Sequence, residues 1–244
     1  MRKPKSIQSR QYIYKEMKAF YLSLILSFCG ILGLNAQIRE EFQIGLAAPS
    51  GDFAADDFDN AIYNGAGVAT NGFYIGYKSL FPLSEDILYW TFSAGFMRNG
   101  LTSSYKDEMN DFIFENFDNY NLVSGRKFSK YINIPILMGL QYETELSSTA
   151  KFYCEAGAGL NILKITETAI YGKHCFYKSS FKLGYKIGGG VLINDKYTIG
   201  VTYLGLGSHR VEYDDDPDAK KVYNKRFDSS LPVSSMNIVF GIRF

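Results

Sequence analysis

Apolar and polar side chains alternate along most of the chain after residue 37. The clearest case is residues 131–143, where every second side chain is bulky and apolar and most of those between are small or polar. A period of two predicts a β-strand with one face in an apolar environment, and no later segment has a sustained 3.6-residue period. The alternation recurs in eight segments, at 40–48, 70–81, 87–98, 131–143, 151–162, 181–193, 197–206 and 235–244.

The links between these strands alternate between short and long. Short links are expected at 82–86, 144–149 and 194–196, and long links at 49–69, 99–128, 164–180 and 207–232. Short periplasmic turns opposite long external loops are typical of outer-membrane barrels. We therefore predict an all-β fold, an eight-stranded antiparallel up-and-down transmembrane β-barrel that occupies residues 37–244 as one domain.

Alternation alone does not say which face of the barrel points outward. A soluble, lipocalin-like barrel would turn its apolar face inward and its polar face to water, and the polar face would then be rich in charge. Here that face is mostly Gly, Tyr, Asn, Ser and Thr, with glycines at 157, 159, 184, 188 and 190. Small residues suit the crowded interior of an eight-stranded barrel, so we expect the bulky face to contact outer-membrane lipid. The soluble barrel remains the alternative.

The N-terminal segment predicts export. The apolar run 19–34 follows Lys15 and Lys18 and ends before Ala36, which together describe a signal peptide over residues 1–36. Met17 is a second candidate start of translation, and residues 1–16 would then not belong to the natural protein. A membrane anchor helix is the alternative, although the run is short for the ~20 residues of a spanning helix. We expect localisation in the outer membrane of a Gram-negative cell.

Composition adds little about chemistry. Net charge is +1 at pH 7, which gives no electrostatic reason to expect nucleic acid as a partner. Aromatic residues make up 16% of the chain, with 23 Gly and 6 Pro, as suits a sheet protein with aromatic belts. Cys154 and Cys175, the cysteines outside the signal, do not form a disulfide or zinc pattern. No metal and no cofactor is expected.

Several charged residues fall on the predicted lumen face. We expect Glu155, Lys182, Lys186 and Arg243 to form a cluster of lumen charges, with Lys78 nearby. Buried charges require partners because an isolated one costs several kcal/mol. A packed polar plug, with Glu155 paired to Lys186 or Lys182, is the simpler interpretation. A narrow, gated solute pore is the alternative.

An enzymatic function has limited support. Some eight-stranded barrels modify lipid A with a His, a Ser and a carboxylate near the outer rim, and the candidates here are His209 with Ser208, or His174 with Ser179 or Ser180. Exposed loop histidines are the simpler interpretation, so we expect no enzyme. Residues 107–120 predict a strand hairpin or a contact patch for a partner. Residues 214–218 suggest a loose Ca²⁺ site or, more simply, a solvated acidic loop.

The mature chain resembles the outer-membrane β-barrel domain proteins of Bacteroidota, the porin family or PorT-like proteins. The resemblance covers roughly residues 38–244 and is carried by Lys130–Gly139, Lys151–Leu160, Leu183–Leu192 and Asn237–Phe244. In addition, Phe244 ends an amphipathic strand and resembles the signal read by the barrel-assembly machinery. The family resemblance implies a barrel without a catalytic signature. Its role would be structural or binding through external loops to envelope protein partners, as part of an envelope or secretion assembly.

Overall fold

The computed structural model describes residues 38–56, 66–84, 87–117, 127–170, 173–211 and 230–244. The predicted signal peptide, residues 1–36, lies outside the described residues, and so does the acidic run 214–218.

Eight long strands close into an antiparallel barrel, as predicted. They are β1 (Arg39–Pro49), β2 (Gly72–Ser84), β3 (Leu88–Asn99), β4 (Tyr131–Ser147), β5 (Ala150–Ile165), β8 (Ser180–Ile193), β9 (Tyr197–Arg210) and β10 (Ser230–Arg243); β6 (Thr168–Ile170) and β7 (Lys173–Cys175) form a separate short hairpin. Each barrel strand pairs with the next barrel strand along the chain, and β1 pairs with β10 to complete the ring. Closure leaves no strand edge of the barrel unpaired.

The two ends of the barrel differ in their connections. The turn end carries the short links 85–87, 148–149 and 194–196, and the loop end carries 50–71, 100–130, 166–179 and 211–229. In the turn 194–196, Asn194 and Asp195 have φ of 50° and 52°. Positive φ at both central residues is the requirement of a twist-matched hairpin turn, and Asn and Asp tolerate it well.

The strand hairpin predicted for residues 107–120 was wrong, because Ser103–Phe117 form a helix, α1. The other interpretation, a contact patch for a partner, stays a prediction. The Thr102 hydroxyl accepts a hydrogen bond from the Tyr105 amide at 3.4 Å, which caps the start of α1, and the Tyr105 ring packs against the apolar core of the barrel. No helix within the described ranges is long and apolar enough to cross a bilayer.

The bulky face of the strands points outward, as predicted. Ile136, Met138 and Leu140 of β4 are 37–50% exposed, whereas Leu137 and Gln141, on the opposite face of the strand, are buried. The outward apolar run covers residues 132–142 on β4 and 152–162 on β5, the ~9–11 residues that a tilted strand needs to cross a bilayer. Inside, glycines make room for large rings: a Cβ on Gly200 would lie 2.1 Å from the Tyr153 hydroxyl.

An apolar cap fills the lumen at the loop end. Phe53, from the short 3₁₀ helix Gly51–Phe53, is fully buried and packs edge-on against Tyr131, with ring centroids 5.1 Å apart. The returning chain is fixed by hydrogen bonds from the Ala69 amide to the Phe53 carbonyl and from the Tyr131 hydroxyl to the Gly67 carbonyl. The first long loop therefore folds inward and contributes to the core.

Candidate functional site in the barrel lumen

Six buried charged side chains meet below the apolar cap, and we call them the lumen charge chain. Its three carboxylates and three cations are each at most 6% exposed. They come from six different strands, because each occupies an inward position of the two-residue period. The members are Glu41 (β1), Lys78 (β2), Glu143 (β4), Glu155 (β5), Lys186 (β8) and Arg243 (β10).

The signs alternate along this chain of contacts. Arg243 binds Glu143 at 2.9 Å and Glu41 at 3.4 Å, measured from its Nη2 atom. Lys78 Nζ lies 3.2 Å from Glu41 and 3.6 Å from Glu155, and Lys186 ends the series 2.9 Å from Glu155. Every carboxylate thus has at least one cation within 3.4 Å, and the six formal charges cancel. Buried charges are tolerated when they are paired and hydrogen-bonded in this way.

Neutral groups extend the hydrogen bonding. Gln141 accepts a hydrogen bond from Lys78 at 2.9 Å and donates to Glu143 at 2.7 Å. Gln43 and Thr198 both donate to Glu41, at 2.6 and 3.1 Å. A buried network connected in this way favours one arrangement of the strands that contribute to it.

Three of the four predicted cluster residues are brought together, and one is not. Glu155, Lys186 and Arg243 belong to the lumen charge chain, whereas Lys182 is exposed. Lys182 pairs with Asn161 in the strand register, and Lys186 pairs with Gly157. The four-residue offset puts Lys182 roughly 13 Å further towards the loop end, beyond reach of Glu155.

Sequence reasoning missed two members, Glu41 and Glu143. Their positions can be assigned from the sequence, because Glu143 follows the alternation of β4 and Glu41 directly precedes the outward Phe42 of β1. The signal that could have found them is the two-residue period, which puts both side chains on the inward face, where a buried carboxylate requires a cation. The sequence does not show that Arg243 is the partner of Glu41, because the two residues are 202 positions apart.

The lumen is packed along its described length. Leu80, Tyr89 and Leu192 are fully buried near the turn end, below or beside the charges, and the apolar cap lies above them. Near the Glu155–Lys186 pair there is a cavity of about 10 Å³, room for about one water molecule. Side chains therefore occupy the described interior around this pair.

His209 and Ser208 do not form a catalytic pair. His209 is fully buried, with Nε2 3.0 Å from the Leu206 carbonyl and 3.0 Å from the Asn161 amide nitrogen. Ser208, its neighbour in β9, is exposed and hydrogen-bonds Ser230 instead. Successive strand residues point to opposite faces, which separates the two side chains. His174 lies on β7, and its side chain is outside the described part of the structure.

Phe244 and Cys154 lie on the outer surface of the barrel. Phe244 is 68% exposed, and its backbone exchanges two hydrogen bonds with Glu40, so that it extends the β1–β10 pairing. Cys154 is a free, exposed cysteine on β5. Within the described residues, no group of three or more His, Cys, Asp or Glu side chains is placed to hold a metal ion.

Solved structures with similar chain paths are outer-membrane and surface proteins. Neisserial surface protein A is 14% identical, with a TM-score of 0.44, and the match covers 84% of this chain and 95% of that chain. A major outer membrane protein of Thermus thermophilus is 11% identical, with a TM-score of 0.45, and the match covers 85% of this chain and 100% of that chain. Ail of Yersinia pestis, solved with the heparin analogue sucrose octasulfate, is 15% identical, with a TM-score of 0.40. The match covers 85% of this chain and 99% of that chain.

No protein-family model and no curated protein sequence matches the chain. At these identities and TM-scores, the structural matches add no argument to what the strand pairing already shows about the fold.

Proposed function

We propose that this protein is a non-enzymatic integral barrel of the Gram-negative outer membrane, with a structural role or a binding role carried by its external loops. The observation that carries the proposal is the inverted polarity of the barrel. Bulky apolar side chains such as Ile136, Leu160 and Ile238 face outward, while six charges are buried inside. A soluble barrel has the opposite arrangement, and a closed barrel in lipid satisfies all its backbone hydrogen bonds.

Conduction through the lumen is disfavoured by the packing. Glu41 and Lys78, at the centre of the charge chain, have no solvent-exposed surface. Eight strands enclose an interior just wide enough for side chains. The narrow porin-like pore, our alternative, would require the lumen charge chain to separate, which would leave buried charges without partners.

A lipid-modifying enzyme is disfavoured by the separation of His209 from Ser208. A serine nucleophile needs a base within hydrogen-bonding reach, and these side chains occupy opposite faces of β9.

Export and insertion are part of the proposal. Residues 1–36 would act as the signal peptide, and residues 37–244 would reach the outer membrane as the barrel domain. The barrel-assembly machinery would bind β10, whose outward side chains at 236, 238, 240 and 242 are all apolar and exposed.

A role in an envelope or secretion assembly rests on the PorT-like resemblance. The fold adds one observation: Thr102 and Ser104, at the start of α1, donate hydrogen bonds to Asp56, so the first two long loops are joined at the loop end. Envelope protein partners would bind this end. Co-purification with neighbouring envelope proteins after crosslinking in the native membrane would test this part separately.

The main proposal is tested by fractionation and by gel mobility. Full-length chain expressed in a Gram-negative host should appear in the outer-membrane fraction as a shortened species that begins at Gln37. It should need detergent for extraction, and its gel mobility should change on heating. Recovery of residues 37–244 as a monodisperse, folded protein in plain buffer would overturn the outer-membrane assignment.

A further inference from the structure

Three cations lie on the outward face of the barrel, at the loop end of the apolar band. Arg98 of β3 and Lys164 of β5 both stand opposite Ile132 of β4 in the strand register. Lys130 precedes β4, and its backbone exchanges hydrogen bonds with Thr166 just beyond Lys164. We call Arg98, Lys130 and Lys164 the rim cations.

The pairing places these side chains close together. Directly opposite residues have Cβ atoms ~5 Å apart and diagonal neighbours lie ~7–8 Å apart. Lys130 is diagonal to both Arg98 and Lys164, so the three form a triangle whose flexible side chains can reach one common ligand. Arg98 and Lys164 occupy outward positions of their strands, because the residues that precede them, Met97 and Leu163, are buried.

The rim cations are not neutralised within the described part of the chain. No ion pair joins them to a described carboxylate, although other surface lysines have one: Lys127 binds Glu167 at 3.0 Å, and Lys151 binds Asp195 at 2.7 Å at the turn end. Three neighbouring like charges repel one another, so the arrangement favours a ligand with concentrated negative charge.

The position of the rim cations selects the ligand. Directly towards the turn end on the same strands lie Phe96, Ile134 and Ile162, which belong to the outward apolar band. Basic side chains next to such a band sit at headgroup depth, where each cation gains attraction to anionic lipid. Arginine also binds phosphate oxygens through two parallel hydrogen bonds.

We propose that Arg98, Lys130 and Lys164 bind a phosphate group of the outer-leaflet glycolipid, with the acyl chains lying on the apolar wall formed by β3, β4 and β5. This proposal rests on the proposed function, because it requires the loop end to lie in the outer leaflet. It assigns a lipid ligand to the outward rim of the barrel, apart from the lumen.

The experiment compares lipids that differ only in phosphate. Full-length protein processed in the outer membrane is purified in detergent and titrated with diphosphoryl lipid A, with dephosphorylated lipid A and with inorganic phosphate, and bound species are read by native mass spectrometry. The variants are Lys164→Gln and the triple change R98Q/K130Q/K164Q. Lys182→Gln is the matched control. It also removes a lysine charge at the loop end, but Lys182 occupies an inward position in the alternation of β8.

Wild-type protein should bind diphosphoryl lipid A more tightly than its dephosphorylated form. Lys164→Gln should weaken that binding about fivefold, the value of one interfacial cation, and the triple variant should lose the preference, while Lys182→Gln keeps it. Equal binding of both lipids, an unchanged preference in the triple variant, or inorganic phosphate competing as well as the lipid would overturn the proposal. A wild-type chain that fails to enter bilayers would instead refute the proposed function.

Discussion

Lys186 donates a 2.9 Å hydrogen bond to Glu155 in the interior of the barrel, and neither side chain is more than 5% exposed. Glu155 also lies 3.6 Å from Lys78, so one carboxylate compensates two cations. Removing this carboxylate would leave two buried positive charges with fewer partners than they have now.

The first prediction is that Glu155→Gln destabilises the folded barrel strongly. Breaking a buried pair by removing one partner costs about 3–5 kcal/mol. The free energy of unfolding can be measured by urea titration in detergent micelles, with the single tryptophan, Trp90, as the fluorescent probe. Glu145→Gln is the matched control, because Glu145 is exposed at the turn end of β4, and it should change stability by less than about 0.5 kcal/mol.

A second variant separates charge pairing from packing. The double change Glu155→Leu with Lys186→Met should recover much of the lost stability, because Lys78 keeps Glu41 at 3.2 Å and well-packed apolar groups can replace a buried ion pair. If the double variant were as unstable as the sum of the two single changes, pairing would not be the source of the effect.

The second prediction concerns conductance. Because the lumen charge chain and the apolar cap fill the described interior, wild-type protein in a planar bilayer should show no stable ion conductance steps. Successful insertion is verified in the same sample by the heat-dependent change in gel mobility. Reproducible steps from inserted wild-type protein would support the porin-like alternative.

The third prediction uses depth along β4. Ile136 is near the middle of the outward run 132–142, and Tyr142 is at its turn-end edge. Arginine at the bilayer midplane of a barrel costs about 2–4 kcal/mol, and near the interface about 0–1 kcal/mol. Ile136→Arg should therefore reduce the folded fraction in phosphatidylcholine vesicles far more than Tyr142→Arg. Equal effects of the two changes would contradict the placement of the bilayer along β4.

The fourth prediction concerns the start of α1. Hydrogen bonds from the Ser104 and Thr102 hydroxyls hold the pKa of Asp56 below its usual range. Its stabilising contribution is therefore complete above the ordinary pKa of Asp and is lost as the pH falls through the lowered value. The carboxylate is nearly fully solvated, so solvent screening keeps the effect below about 1 kcal/mol.

Hydrogen exchange of the α1 amides is the measurement for this effect. After correction for intrinsic rates, wild-type α1 should exchange faster at pH 3 than at pH 6, whereas Asp56→Asn should exchange faster at pH 6 and depend less on pH. Glu115→Gln is the control, because it removes an exposed carboxylate near the other end of α1. The same pH response in both variants would show that Asp56 is not its origin.

The barrel itself could be predicted because its signal is local. On β4, the alternation from Ile132 to Tyr142 specifies both the strand and its outward face, since each residue reports its own side. Helix α1 was missed for the opposite reason. Its four aromatic residues, Tyr105, Phe112, Phe114 and Phe117, stand among acidic residues, and only the tertiary packing of Tyr105 shows which face is buried.

The candidate site was predictable in part, for a similar reason. Parity places Glu155 and Lys186 in the lumen, and they lie on strands that are adjacent in the ring, so their contact could be expected. The contact of Arg243 with Glu143 links β10 with β4, which are not neighbours in the barrel. Such contacts across the lumen depend on strand tilt and side-chain packing, and the sequence does not encode them position by position.

The place of Arg243 has a consequence for the order in which the barrel forms. It is supplied by the last strand and lies between the carboxylates of Glu41 and Glu143 from the first and fourth strands. Until β10 docks, the interior holds three acidic groups and two basic ones. A smaller ring sealed by β9 against β1 would trap this surplus negative charge away from water, at a cost of several kcal/mol. Electrostatics thus disfavours premature closure and makes the arrival of β10 the step that completes the fold.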